Sequence, residues 1–197
     1  MQANPINPYG RSKLMSEWVL QDVAKANTDF NYVILRYFNV AGADLKNRIG
    51  ECHDPETHLI PLIAKTALGK RKQITIYGTD YPTQDGTCIR DYVHVEDLAA
   101  AHMRALDYLS VSEESGKSET LNCGYGHGFS VLEVVKMMEE VSGRDFPVEL
   151  ASRRVGDPVQ LVSSTDRIRK VMRWEPKYDD LSLICKTAFL WESKEED

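Results

Sequence analysis

The feature that most constrains this chain is a helix followed closely by an apolar strand, within its first forty residues. Asn7-Pro8-Tyr9-Gly10-Arg11-Ser12-Lys13 reads as a helix start. The Asn7 side-chain oxygen can accept from a free N–H of the first turn, and Pro8 suits the first helical position, where no N–H is needed. The helix runs to about Ala26, with Leu14, Trp18, Val19 and Val23 at helical spacing as its inward face. Asn27-Thr28-Asp29 breaks it, and Tyr32 to Phe38 then forms a nearly continuous apolar strand. A strand buried on both faces, directly behind a helix, belongs to a parallel sheet. Ligands of such sheets lie beyond the carboxyl ends of the strands. That rule places Tyr37, Phe38 and Asn39 at a site, with Val40-Ala41-Gly42 turning away.

The α/β alternation continues downstream. Residues 44–57 are a polar loop without a period, and a helix spans about Leu59 to Leu68, ended by Gly69. Ile74 to Tyr77 is a short strand, and Gly78 to Thr87 is a connector dense in breakers. Ile89 to Val95 alternates as one half-buried strand and leads into a helix through Asp97 to about Leu109. Ser110 to Glu119, rich in Ser, Glu, Gly and Lys, reads as a surface linker. Thr120 to Gly124 is a strand, and Ser130-Val131-Leu132-Glu133 is a capping box for a helix closed by Gly143. Pro147 to Ala151 is another strand. A loop with Arg153, Arg154, Gly156 and Asp157 precedes helical segments at about 165–173 and 180–194. No G-x-G-x-x-G follows a strand. Gly124-Tyr125-Gly126-His127-Gly128 has the wrong spacing to cradle a pyrophosphate and reads as a tight strand-to-helix turn.

Length allows one domain of fair size, or a domain plus part of another. A net charge of −6 offers no general attraction to nucleic acid or an anionic membrane. The basic run Lys70-Arg71-Lys72 follows a helix-ending Gly, where it complements a helix dipole. Cys52, Cys88, Cys123 and Cys185 are scattered without a CxxC pair, so neither a zinc site nor a disulfide framework is indicated and a reducing cytoplasm is expected. No apolar run approaches a membrane span and no charged-then-apolar leader is present. No metal site is expected.

Tyr9 and Lys13 lie one turn apart on one helix face. A phenol beside a fixed ammonium is a proton-transfer pair, because the cation favours the phenolate. By itself the spacing also fits an ordinary helix start with an exposed Tyr and Lys.

The stretches NPYGRSK, LRYFNVAGA, HLIP, ITIYG, DYPTQDGTCIRDYVHVEDLA, LNCGYGHGFSVLEVV and RRVGDP, in that order, resemble the second half of the UDP-glucose 4-epimerase family of extended short-chain dehydrogenases/reductases. The resemblance spans nearly the whole chain. It implies an α/β fold with residues 1–43 as a remnant of a Rossmann-type NAD-binding domain. Residues 44–197 would form mainly a smaller UDP-sugar-binding domain, with some segments returning to the Rossmann part. It further implies that Tyr9 takes the C4 hydroxyl proton while bound NAD accepts the hydride, that a 4-ketose rotates, and that the hydride returns to its other face. Lys13 would bond the nicotinamide ribose, and Tyr37 would lie against the cofactor. Phe38 matches the same motif and equally suits a strand core. On the substrate side, Asn39 matches a diphosphate or sugar contact, and Arg90 and Arg154 match phosphate-binding guanidinium forks. Asp157 matches a ribose contact, Thr75 and Tyr77 the uracil positions, and His58 with Leu59 a nucleotide-contacting pair. His94 and His102 are expected to be structural.

Three departures accompany the resemblance. Leu161 stands where some relatives carry a Tyr against the sugar, leaving room near its C2 substituent, so UDP-N-acetylhexosamines are expected to be tolerated. The family's Gly-rich first βα turn is not found in the chain. Nor is a Ser upstream of the Tyr. The resemblance therefore implies a carboxyl-terminal portion that binds NAD weakly or not at all, exposes apolar faces, and in intact relatives forms a homodimer through helices such as that from Pro8. Alternative functions are a non-catalytic sugar-nucleotide-binding module, or a related dehydratase or decarboxylase.

Overall fold

The computed structural model describes residues 3–110 and 117–194. In chain order the elements are α1 (Pro8–Ala26), β1 (Val33–Tyr37), β2 (Asn39–Ala41), α2 (Leu59–Ala67), β3 (Ile74–Tyr77), β4 (Ile89–Arg90) and β5 (Tyr92–His94). There follow α3 (Val95–Ser110), β6 (Glu119–Cys123), β7 (Phe129–Ser130), α4 (Val131–Ser142), β8 (Val148–Ala151), β9 (Gln160–Leu161), α5 (Asp166–Met172) and α6 (Leu181–Glu192). The α/β class is as expected. β1 pairs with β6, β2 with β5 and β3 with β8, all parallel, while β4 takes β7 antiparallel on one side and β9 parallel on the other.

The core is gathered where α2, α4 and α6 pack on one another. Ile60, Ile63, Val134, Met138, Ile184 and Trp174 are among its fully covered side chains. Local chemistry explains the helix ends. Ser130 and Glu133 form the full reciprocal capping box, and Gly143 ends α4 in the left-handed region at φ 62°. Lys70 serves a helix other than its own: its Nζ donates to the Glu192 carbonyl at 2.6 Å, at the C-terminus of α6.

The structure corrects several expectations. The Ile89–Val95 segment is two strands in two sheets, and Tyr92, Val93 and His94 are fully buried. The break is at Asp91, whose buried carboxylate accepts from Tyr125 N (2.9 Å), Gly126 N (3.1 Å), Ser163 N (3.1 Å) and Ser163 Oγ (2.6 Å) and so turns the chain between sheets. Val40 and Ala41 do not turn away but continue from Asn39 as β2, paired with β5. β1 has one strand partner, β6, and is only partly covered. Two-residue strands β7 and β9 carry too few residues for a period to announce them. Most of the expected linker, residues 111–116, lies outside the described residues, and Glu119 already belongs to β6.

The largest correction concerns α1. Trp18 is 53% exposed, and Met15, Val19 and Val23 are exposed with it. The residue that faces the sheet is Glu17, buried in a two-pronged ion pair with Arg36 of β1 (Nε–Oε1 2.7 Å, Nη2–Oε2 2.5 Å). A helix anchored by that pair turns its apolar stripe away from β1.

Candidate active site

At the start of α1 the cap is as the residues dictate: Asn7 Oδ1 accepts from Gly10 N at 2.8 Å, and Pro8 takes the first turn. The Tyr9 ring is 72% exposed, and Lys13 Nζ lies 5.3 Å from its centroid. An ammonium at that distance from a ring face is within cation–π reach. Because α1 returns directly into β1, with Glu17 fixed on Arg36, its N-terminus lies toward the carboxyl end of β1. There Tyr37 is exposed and the chain enters β2 at Asn39.

The second group of candidate residues is held by the loop between β8 and β9. Ile74 and Ile76 point into the core, so Thr75 and Tyr77 take the open side of β3. Thr75 Oγ1 donates to Glu149 Oε2 at 3.0 Å. The Arg154 guanidinium lies 4.0 Å over the Tyr77 ring, and Arg153 lies 4.1 Å over Tyr81 while pairing with Asp80. Such closeness requires glycine at 78: a Cβ there would stand 2.5 Å from the Tyr81 ring and 2.7 Å from Arg153, on a backbone with φ +83°. Arg90 donates to the Ile89 and Pro158 carbonyls at 2.8 and 2.9 Å, which leaves it beside Leu161 in the β4–β9 register. Asp157 closes a turn onto Arg154.

Arg90 donates to the carbonyl of Pro158, next in the chain to Asp157, whose N–H in turn donates to the Arg154 carbonyl, so the three charged residues share one neighbourhood. Backbone bonds tie it to β2. Asn39 N donates to Asp91 O at 3.0 Å, and Asp91 N to Leu161 O at 3.1 Å. Tyr77, Arg90, Arg154, Asp157 and Leu161 therefore form one cluster, with Asn39 a strand away. His58 is not drawn into it by side-chain bonds. Its Nδ1 instead meets Glu51 Oε1 at 2.6 Å and Glu56 Oε1 at 2.9 Å, while Leu59 opens α2 half-buried.

Two buried carboxylates that the sequence reading passed over support this site. Asp91 is described above. Asp97 accepts from the Tyr125 hydroxyl (2.7 Å) and from Lys177 N and Tyr178 N (2.8 Å each), and together with burial it pushes the Tyr125 phenol upward. Acidic residues inside the apolar run IRDYVHVEDLA were the available signal. His94 is structural, as expected: it is fully buried, its Nδ1 accepts from Glu96 N, and burial holds its imidazolium below the ordinary value. Residues Gly124, Gly126 and Gly128 also prove structural. A Cβ at Gly124 would meet Asp91 Oδ2 at 2.6 Å, and one at Gly128 would meet Ile89 at 2.7 Å.

Residues 1–124 match the model of the NAD dependent epimerase/dehydratase family. The UDP-glucose 4-epimerase of Azospirillum brasilense is 53% identical over 188 residues, which are 95% of this chain and 53% of that protein. Among solved structures, the UDP-Glc/GlcNAc 4-epimerase from Campylobacter jejuni is 56% identical with a TM-score of 0.77, over 97% of this chain and 57% of its own. The UDP-glucose 4-epimerase from Bifidobacterium longum, in complex with NAD+ and UDP, is 36% identical with a TM-score of 0.90, over 98% and 56%. This chain belongs to the NAD dependent epimerase/dehydratase family. It spans about half the length of the curated relatives it matches.

Proposed function

We propose that the chain carries the proton-transfer pair and the UDP-sugar site of an NAD-dependent UDP-glucose 4-epimerase, interconverting UDP-glucose and UDP-galactose through a 4-keto sugar. The observation that carries this reading is the open Tyr9–Lys13 pair at the α1 N-terminus, on the same side of the molecule as the carboxyl end of β1. Tyr9 takes the proton from the sugar C4 hydroxyl, and Lys13 fixes the position of the phenol and meets the nicotinamide ribose. Arg90 and Arg154 hold the diphosphate, as guanidinium forks do. Thr75 and Tyr77 flank the uracil, Asp157 holds ribose hydroxyls, and Asn39, His58 and Leu59 complete the substrate contacts. Residues 1–43 serve the cofactor side and residues 44–197 mainly the sugar nucleotide.

NAD, when bound, supplies the acceptor and donor of hydride. The residues present fit only its nicotinamide end: Tyr9, Lys13 and Tyr37 are exposed where it would lie, whereas the three-glycine turn is filled by Asp91 and Ile89 and offers no pyrophosphate cradle. That mismatch favours a second reading, a sugar-nucleotide-binding module without turnover. The exposed stripe of α1 supports a homodimer. Among the described residues no helix is long and apolar enough to cross a membrane, and a cytoplasmic setting goes with the reduced cysteines proposed here.

The test is conversion of UDP-galactose to UDP-glucose by the protein with added NAD+. Turnover supports the epimerase; UDP-sugar binding without turnover supports the module. In the same assay UDP-N-acetylglucosamine should be accepted, because Leu161 is 46% exposed beside Arg90 with no ring to fill that space. Complete rejection of it would remove that part of the reading.

A further inference from the structure

The loop entering α2 brings together four metal-ligating side chains that the epimerase reading does not use as a group. Glu51, His53, Glu56 and His58 each present one ligand atom, and the four atoms lie within 4.8 Å of one another. His53 Nδ1 is 2.9 Å from Glu51 Oε1, and His58 Nδ1 is 2.6 Å from the same oxygen and 2.9 Å from Glu56 Oε1. The rings of the two histidines stand 4.9 Å apart. Both imidazoles thus turn Nδ1 inward onto carboxylates. We propose that Glu51, His53, Glu56 and His58 bind a divalent transition-metal ion of the zinc class.

Three observations carry this beyond a chance cluster. First, one carboxylate oxygen of the cluster lacks a partner. The Glu56 side chain is only 5% exposed, and although its Oε1 accepts from Thr57 N, His58 N and His58 Nδ1, its Oε2 is buried with no partner. A buried carboxylate oxygen left unpaired is costly. Second, Glu51 Oε1 already gathers both imidazoles, standing 2.9 Å from His53 Nδ1 and 2.6 Å from His58 Nδ1. Third, the scaffold is fixed on one side: Trp191 Nε1 donates to the Glu51 carbonyl at 2.8 Å, and Gly50 lies so flat on the indole that a Cβ would come within 2.3 Å of it.

The donor set names the ion. Two imidazoles with two carboxylates suit zinc and its first-row neighbours rather than magnesium or calcium, which take oxygen shells. Bonds of about 2.0–2.2 Å in a tetrahedron separate the ligand atoms by roughly 3.5 Å. Exposed His53 can close the widest separation by side-chain rotation, while the 2.6–2.9 Å contacts open as the ion replaces the protons between them. Each imidazole must offer a lone pair at Nδ1, so any proton there leaves to solvent on binding. The bound ion would tie residues 51–58 to the first turn of α2.

The experiment uses the protein carrying Cys52→Ser, which removes an exposed thiol as a rival ligand. Titration calorimetry with zinc chloride should give one ion per chain, with proton release visible as a dependence of the heat on buffer ionisation. Cobalt(II) should give a visible d–d band, and zinc should raise the melting temperature. His53→Ala and Glu51→Gln should each weaken zinc binding about tenfold or more, and His53→Ala should remove the melting shift. His127→Ala, at a separate exposed histidine–carboxylate pair, should change nothing. Absence of saturable heat, or zinc affinity unchanged in both His53→Ala and Glu51→Gln, would overturn the proposal.

Discussion

Helices α1 and α6 make opposite use of their apolar residues. α6 buries Leu181, Ile184, Cys185, Thr187 and Ala188, and packs on α2, α4 and β2. α1 is longer, yet Glu17 is its one buried residue, and its Met15–Trp18–Val19–Val23 stripe faces outward. The cluster around Arg154 stands on a packed core, whereas the Tyr9–Lys13 pair stands on a helix whose one buried residue is Glu17. The proposed proton-transfer pair and the proposed nucleotide cluster therefore rest on regions of different burial, and each can be perturbed alone.

The largest expected effect is chemical. Tyr9→Phe should lower UDP-galactose turnover by about 10²–10⁴-fold, the range for loss of a general acid–base group. It should leave the melting temperature unchanged, because the ring is exposed. A parallel loss of stability would mean that Tyr9 is structural. Next, Ile184→Ala should cost roughly 2–5 kcal/mol in urea unfolding as a buried cavity forms. Trp18→Ala, although the larger truncation, should cost under about 0.5 kcal/mol as a surface change. Equal costs would show that the α1 stripe is covered in solution, and sedimentation would then reveal the partner copy.

Arg154→Ala should weaken UDP binding by about ten- to a hundredfold, the equivalent of roughly 1.5–3 kcal/mol for a charge-assisted hydrogen bond. Calorimetry with UDP reads this directly, and unchanged affinity would remove Arg154 from the site. The smallest effect is a pH slope. Burial holds His94 below the ordinary 6.5, against the opposing pull of Asp97. The unfolded chain therefore takes up the proton first. Stability is full above about 6.5 and falls as pH drops through that value toward the lower folded-state pKa. Urea midpoints at about pH 7.5 and 5.5 should differ more for the parent than for His94→Asn.

What could be read in advance followed from local chemistry. The cap at Asn7, the capping box at Ser130, and the bounds of α1 and β3 all depend on neighbours within a few residues. The family likeness also grouped Tyr77, Arg90, Arg154, Asp157 and Leu161, and the fold brings these residues near one another. The spacing of Leu14, Trp18, Val19 and Val23 correctly marked one helix face, but periodicity cannot say what lies opposite that face. Only the fold did, through the Glu17–Arg36 pair. Asp91 looked like one polar residue in an alternating strand, and its role arose from donors at positions 125, 126 and 163, far along the chain. The Glu51–His53–Glu56–His58 cluster likewise hid in a loop with no period. Thus the sequence by itself determined the segments, their caps and the residue types of the site. Tertiary structure alone decided which faces are covered and which distant charges meet, because burial and Coulomb interactions depend on separations through space that sequence spacing does not encode.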